Sequence, residues 1–134
     1  MSTILKDLEI LHKALNELVE LCHETSRSKG WWDVEMCGAV PIPHNIPEKL
    51  ALIHSEVSEA LEDYRVGKMD GYYEDVVTEY GPAKKPCGFP SELADIVIRV
   101  FDLCGHLNID LGAAVLEKAE FNKLRSARHG GKVC

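Results

Sequence analysis

The sequence predicts an all-α fold, a bundle of four to five helices in a single domain that spans residues 1–134. Apolar residues recur at intervals of three and four through most of the chain, as they do on the buried face of a helix. No segment alternates apolar and polar residues clearly enough to predict a half-exposed strand. Gly and Pro residues interrupt the helical pattern at residues 29–47, an expected ordered loop, and at residues 69–90. The second interruption is predicted to be an irregular insertion with one short helical turn at residues 74–79.

The first two helices are predicted from apolar spacing and from the residues at their ends. The first spans residues 3–26, and its apolar positions cover more than one face, which favours contact with another copy of the chain. The second begins at Pro47, because the missing N–H of proline needs no partner in the first helical turn, and it runs to Gly67. The predicted core stripe of the second helix consists of Leu50, Ile53, Val57, Leu61 and Tyr64.

The last two helices are predicted in the same way. Ser91 is the expected cap of a third helix that ends near His106. A fourth helix spans residues 111–128 and ends before two consecutive glycines. Residues 129–134 are expected to form a flexible tail.

Composition limits the classes of function. The chain is 46% apolar and 28% charged, which is ordinary for a globular protein, and its formal net charge of −7 disfavours binding to nucleic acid. Five cysteines without C-x-x-C spacing indicate neither a disulfide framework nor a zinc site. The chain also lacks a membrane-length apolar run and a signal-peptide pattern. We therefore expect a cytoplasmic protein with no membrane partner.

Two pairs of carboxylates are the strongest candidates for a functional site. Glu56 and Glu59 lie on the second predicted helix, and Glu92 and Asp95 lie on the third. A spacing of three residues places both members of a pair on one helix face, so two packed helices could direct four oxygen ligands at one point. Oxygen ligands alone favour a hard divalent cation.

The alternative for any such pair is a solvent-facing helix surface. The third helix argues against that alternative, because apolar residues border its polar stripe closely and an enclosed carboxylate needs a cation or Arg99 beside it. The stripe consists of Glu92, Asp95, Arg99, Asp102 and His106.

The fourth predicted helix carries a basic and amide stripe. Lys118, Asn122, Arg125 and His129 follow one another at steps of four, three and four residues, so they share one face. Arginine and lysine donors suit phosphate oxygens, and Lys132 follows two glycines whose N–H groups could surround a phosphate. The alternative is that the cations only complement the helix dipole.

In combination these motifs resemble the MazG-like branch of the all-α nucleoside triphosphate pyrophosphohydrolases. The resemblance runs in order from residue 47 to residue 132. Two departures are Ser55, where the fuller family motif has an acidic residue, and the long insertion at residues 69–90. The matching segments are Glu56-x-x-Glu59, Glu92-Leu93-Ala94-Asp95, Lys118-x-x-x-Asn122-x-x-Arg125 and Arg128-His129-Gly130-Gly131-Lys132.

The resemblance implies hydrolysis of a nucleoside triphosphate between its α and β phosphates, which yields a monophosphate and pyrophosphate. The four carboxylates would hold two or three Mg²⁺ or Mn²⁺ ions, and Glu59, with Glu56 as the other candidate, would act in catalysis as the general base. The implied phosphate-binding residues are Lys118, Asn122, Arg125, His129 and Lys132.

The resemblance also implies a role for the loop before the second helix. In such enzymes this loop borders the base pocket. Trp31 and Trp32 could stack on a nucleobase, and His44 and Asn45 could bind its edge. The alternatives are that the indoles plug the end of the bundle and that Asn45 caps the second helix. By analogy with one short MazG-like subset, the expected substrate is GTP or dGTP.

The resemblance implies that the protein assembles as a homodimer or a homotetramer.

A di-iron protein of ferritin type is a poor fit to the sequence, because neither acidic pair has the E-x-x-H spacing. Two non-catalytic alternatives stay open, a nucleotide-binding protein without turnover and a helical oligomerisation module.

Overall fold

The computed structural model describes residues 3–125. This part of the chain is mostly helical, which confirms the predicted fold class in its coarse form. It also contains two small antiparallel hairpins, so the prediction of no strands was wrong. No helix in this range combines the length and the apolar character needed to cross a bilayer. In chain order the elements are α1 (Thr3–Ser28), β1 (Met36–Cys37), β2 (Val40–Pro41), α2 (Ile46–Arg65), β3 (Tyr72–Thr78), β4 (Gly81–Cys87), α3 (Phe89–Leu107) and α4 (Leu111–Lys123).

Helix α3 lies at the centre of the fold. It packs against α1 and against α2, and α4 packs against α1. Two glycines permit close contact between helices: a Cβ at Gly105 of α3 would lie 2.4 Å from the Cβ of His23, and one at Gly112 of α4 would lie 2.5 Å from Cδ2 of His12. Larger side chains at these positions would force the helices apart.

Two of the helices begin with side-chain caps. The side chain of Asn45 accepts a hydrogen bond from the backbone N–H of Glu48 at the start of α2. At the start of α4, Asp110 accepts one from the N–H of Ala113, and its carboxylate also accepts a bond of 2.9 Å from the side-chain amide of Asn16 in α1. The same carboxylate thus caps α4 and fixes it to α1.

The predicted ends of the last two helices need correction. Helix α3 begins after Gly88, which has a φ of 94° and no room for a Cβ beside the carbonyl oxygen of Asp70. The predicted cap, Ser91, lies inside the helix, and its hydroxyl donates to the carbonyl of Pro86. Helix α4 ends at Lys123, short of the predicted end at residue 128. The expected flexible tail lies outside the described residues.

The segment predicted as an irregular insertion with a helical turn is a β-hairpin. Strands β3 and β4 pair from Tyr72 opposite Cys87 to Thr78 opposite Gly81. Pro82 and Pro86 argued against the second strand in the sequence, because proline is rare within strands. Proline is nevertheless compatible with it, because both strands of a two-stranded hairpin are edges where an N–H can be absent.

The tip of this hairpin reaches the loop that follows α1. The ammonium of Lys29 lies 3.2 Å from a carboxylate oxygen of Glu79 and 3.4 Å from the hydroxyl of Tyr80. These contacts raise the pKa of Lys29 and lower that of Glu79, in each case chiefly through their hydrogen bonds. The hairpin therefore connects the α2–α3 side of the fold to the end of α1.

Most of the predicted core stripe of α2 is not buried in this single chain, although Ile53 is partly buried. Leu50, Val57 and Leu61 are each nearly half exposed, and Tyr64 is 63% exposed. The residues of α2 that are buried are Glu56 and Ala60. The apolar positions of α1 from Ile4 to Leu11 are also largely exposed. Much apolar helix surface is thus left uncovered by the described part of the chain.

Candidate metal centre

The contact between α2 and α3 brings three of the four predicted metal ligands together. Glu56 contributes one carboxylate oxygen from α2, and Glu92 and Asp95 contribute one each from α3; these three atoms all lie within 4.8 Å of one another. Glu56 is 7% exposed, whereas Glu92 and Asp95 are only partly buried. The acidic cluster formed by these three residues could hold a metal ion that is open to solvent on one side.

The fourth predicted ligand, Glu59, lies one helical turn after Glu56 and is exposed. Its charge nevertheless acts on the cluster, because it is one of the causes of the raised pKa of Glu92. Asp63, which was not predicted, is another of those causes. Its spacing of seven residues from Glu56 places it on the same face of α2 and could have identified it.

The electrostatics of the acidic cluster favour a bound cation. Burial is the first cause of the raised pKa of both Glu92 and Asp95, and the neighbouring carboxylates add to it. Arg99 and Lys85 oppose the shift at Asp95. A divalent ion would relieve the repulsion that raises these pKa values.

Within the described chain, one cation is bonded to this group of carboxylates. The Nε–H of Arg99 donates to Oε1 of Glu56 over 2.5 Å, and the side chains are 40% and 9% exposed. Glu59, Glu92 and Asp95 have no ion pair or hydrogen bond within residues 3–125. Arg99 therefore offsets the charge of the most buried carboxylate and leaves the others available.

The predicted phosphate-binding stripe lies on another part of the molecule. Lys118 and Asn122 are exposed on α4, Arg125 follows that helix, and α4 packs against α1 rather than forming part of the α2–α3 contact. The ammonium of Lys118 lies 5.2 Å from the ring centre of Phe121. None of the three has a hydrogen bond or ion pair with the acidic cluster. The candidates His129 and Lys132 lie outside the described residues.

The two tryptophans have different environments. Trp32 is 7% exposed, its ring stacks on His106 with 3.9 Å between ring centres, and the ring edge of His44 contacts both. Trp31 is 67% exposed. Trp32 thus fills the space between helices, whereas the indole of Trp31 is accessible. Asn45 is engaged as the cap of α2.

A cavity of about 470 Å³ lies beside the acidic cluster. Both tryptophans contribute to its wall, together with Lys49, Arg99 and Asp102. Arg99 therefore lies between the cavity and Glu56. Trp31 and Trp32 were predicted to border a base pocket, and both lie in the wall of this cavity. The positions of Arg99 and Asp102 beside them were not predicted, because they depend on the packing of the loop after α1 against α3.

Asp102 belongs to the polar stripe of α3, but the sequence indicated no role for it. Its Oδ1 accepts a hydrogen bond of 2.8 Å from Nε1 of Trp32 and lies 2.9 Å from Nδ1 of His23. These partners are about 70 and 80 residues away in the chain. No local pattern could have identified them.

Comparisons with models of known protein families, with curated proteins and with solved structures give no match for this chain.

Proposed function

We propose that the protein is a metal-dependent nucleoside triphosphate pyrophosphohydrolase of MazG-like type. It would cleave the bond between the α and β phosphates of an NTP or dNTP and release a monophosphate and pyrophosphate. The observation that carries the proposal is the approach of three carboxylate oxygens from α2 and α3 within 4.8 Å, of which only that of Glu56 is bonded to a guanidinium. This arrangement repels anions unless a multivalent cation is bound, and a triphosphate is the kind of ligand that such a cation attracts.

The donor set supports Mg²⁺ or Mn²⁺ as the cofactor. All the donors are carboxylate oxygens, and the cluster contains no cysteine or histidine that would favour zinc. The ions would neutralise the phosphates and lower the pKa of the attacking water. Glu56, Glu92 and Asp95 would bind them.

Glu59 is the residue that best suits the role of general base. It is exposed beside the cluster, and no cation within the described residues is paired with it. Glu56 is buried and bonded to Arg99, which suits a metal ligand that must stay in place. Glu59 would accept the proton of the attacking water.

An assembly of two or four copies would complete the site. The exposed apolar side chains of α2, which include Leu50, Val57 and Leu61, favour contact with another copy. Lys118 and Arg125 lie apart from the acidic cluster of their own chain. In a symmetric oligomer they could reach the phosphates bound by a partner subunit.

The second candidate function is a helical oligomerisation module without turnover. The exposed apolar residues of α1 and α2 favour it, since they would be explained by association alone. An oligomerisation module does not explain why mutually repelling carboxylates lie together in the acidic cluster. Turnover of a nucleotide separates the two functions.

The proposal is tested by incubating the purified protein and Mg²⁺ with each of the eight common NTPs and dNTPs and separating the products by chromatography. We expect monophosphate and pyrophosphate, and no products in EDTA. Glu59→Gln should abolish turnover without loss of helical circular dichroism. The control is Glu62→Gln on the same helix. Glu62 is exposed and pairs with Arg65, so this change should leave activity unchanged. Release of orthophosphate and a diphosphate would assign the reaction to another bond.

A further inference from the structure

The β3–β4 hairpin turns one of its two faces toward the acidic cluster. Alternate residues of a strand lie on the same face, and the buried Cys87 shares its face with the partly buried Tyr72 and Val76. We call this the inner face of the hairpin. Burial raises the pKa of the Cys87 thiol, and the charges of Glu74 and Glu92 raise it further. The inner face is therefore close enough to the acidic cluster to be affected by its charge.

Lys85 lies on the inner face, two residues before Cys87 in β4. The end of this strand is fixed against α3, because the hydroxyl of Ser91 in the first turn of the helix donates to the carbonyl of Pro86. The thiol of Cys87 lies 3.5 Å from the carbonyl oxygen of Lys85. Strand β4 thus packs against the helix that carries two of the three clustered carboxylates.

The ammonium of Lys85 acts on the acidic cluster without being bonded to it. Burial is the first cause of the raised pKa of Asp95, and the charge of Lys85 opposes that shift. Within residues 3–125, however, this ammonium has no ion pair or hydrogen bond. Glu74 lies directly opposite Lys85 in the hairpin and is not paired with it. The three N–H donors of the ammonium therefore remain available beside the cluster.

The neighbouring lysine of the same strand behaves differently. Lys84 lies on the outer face, where its ammonium pairs with Asp75 directly across the hairpin. Both lysines are exposed. Pairing across the strands is thus possible for a lysine in β4, but Lys85 does not form such a pair with Glu74.

We propose that Lys85 binds phosphate oxygens of the nucleotide whose metal ion is held by the acidic cluster of the same chain. This inference rests on the proposed function in that it takes the ligand to be a metal-bound polyphosphate. A triphosphate keeps a net negative charge after one divalent ion has bound, and a lysine ammonium suits its oxygens. Lys118 and Arg125 lie elsewhere in their own chain, whereas Lys85 is beside the cluster. The hairpin, which departs from the family resemblance, would thus supply a phosphate-binding residue.

The test measures binding of inorganic tripolyphosphate in excess Mg²⁺ by isothermal titration calorimetry. Lys85→Met keeps the apolar stem and removes the charged donors, so it should weaken binding about tenfold. Lys85→Arg keeps the charge and should restore most of the affinity. Lys84→Met is the matched control, because it makes the same change on the outer face, and it should leave binding unchanged. No binding of tripolyphosphate by the wild-type protein would overturn the inference.

Turnover separates this inference from the proposed reaction. With an NTP and Mg²⁺, Lys85→Met should lower kcat/KM about tenfold. A protein that hydrolyses the NTP equally well with and without this lysine keeps the proposed function and overturns the inference. A protein that hydrolyses no triphosphate, but loses tripolyphosphate affinity in Lys85→Met and not in Lys84→Met, keeps the inference and overturns the proposed function.

The alternative role for Lys85 is that of a counter-ion for the carboxylates alone. In that case Lys85→Met would tighten the binding of Mg²⁺ measured without phosphate, since a nearby positive charge is gone. Tripolyphosphate binding would not weaken, and the inference would be wrong. Far-UV circular dichroism should be the same for all these variants, because both lysines are exposed.

Discussion

Replacing Arg99 by methionine should destabilise the metal-free protein and make its stability depend strongly on Mg²⁺. The substitution keeps the apolar stem of the side chain but leaves Glu56, whose side chain is 9% exposed, without its cation. Loss of one partner from a fully buried pair costs about 3–5 kcal/mol. Because Arg99 is 40% exposed, solvent screening reduces the expected cost to about 2 kcal/mol. For a chain of this length, that lowers Tm by about 6–10 °C.

The assay is thermal unfolding followed by circular dichroism in EDTA and in Mg²⁺, at one protein concentration because association also shifts Tm. Mg²⁺ at about 100 times its Kd adds about 2.7 kcal/mol and should restore the loss in Arg99→Met. In a Glu56→Gln background, the same substitution should cost less than about 0.5 kcal/mol, since the unpaired charge is gone. Arg65→Met, an exposed control, should stay within about 0.5 kcal/mol. An equal loss in both backgrounds would refute the charge argument.

Three further predictions concern other parts of the chain. Gly105→Ala should cost about 1–3 kcal/mol in urea unfolding, because its Cβ would meet His23 at 2.4 Å; an unchanged midpoint would mean that α1 and α3 are not so closely packed. The pKa of Asp110 is lowered to about 2, first by the N–H of Ala113, so its carboxylate stabilises the fold above the unfolded pKa and loses this effect as the pH falls toward 2. Asp110→Ala should therefore lower Tm at pH 7 and lower it less below pH 4, and a difference independent of pH would contradict this. Arg125→Ala should raise KM for the triphosphate about tenfold with kcat nearly unchanged, and an unaltered KM would remove it from the phosphate site.

The four helices could be predicted from the sequence because their information is local. Apolar spacing identified α1 within two residues of its observed end, and the Asn45–Pro47 region marked the start of α2. The β3–β4 hairpin could not be predicted with the same rules. Proline argues against a strand in sequence analysis, although an edge strand such as β4 tolerates it. Helix α3 was placed correctly, although its cap was assigned to Ser91 instead of Gly88.

The site was only partly predictable for a related reason. The spacing of Glu56, Glu92 and Asp95 within their helices indicated the acidic cluster, but their approach across the α2–α3 contact is a property of the fold. The pairing of Arg99 with Glu56 spans 43 residues and depends on the same contact. The apolar stripe of α2 was predicted as core because helical periodicity identifies an apolar face. Periodicity does not show whether that face is buried by the same chain.

The β3–β4 hairpin joins the two acidic helices in sequence and reaches the rim of the cavity in space, through the contact of Lys29 with Glu79 and Tyr80. Its length and its tip can therefore change while the candidate metal ligands stay in place, because neither acidic pair lies within it. Such a separation allows the choice of substrate to diverge independently of the chemistry. If the protein is the proposed pyrophosphohydrolase, chimeras that exchange only the hairpin tip should alter which nucleotides it accepts and leave the acidic cluster unchanged.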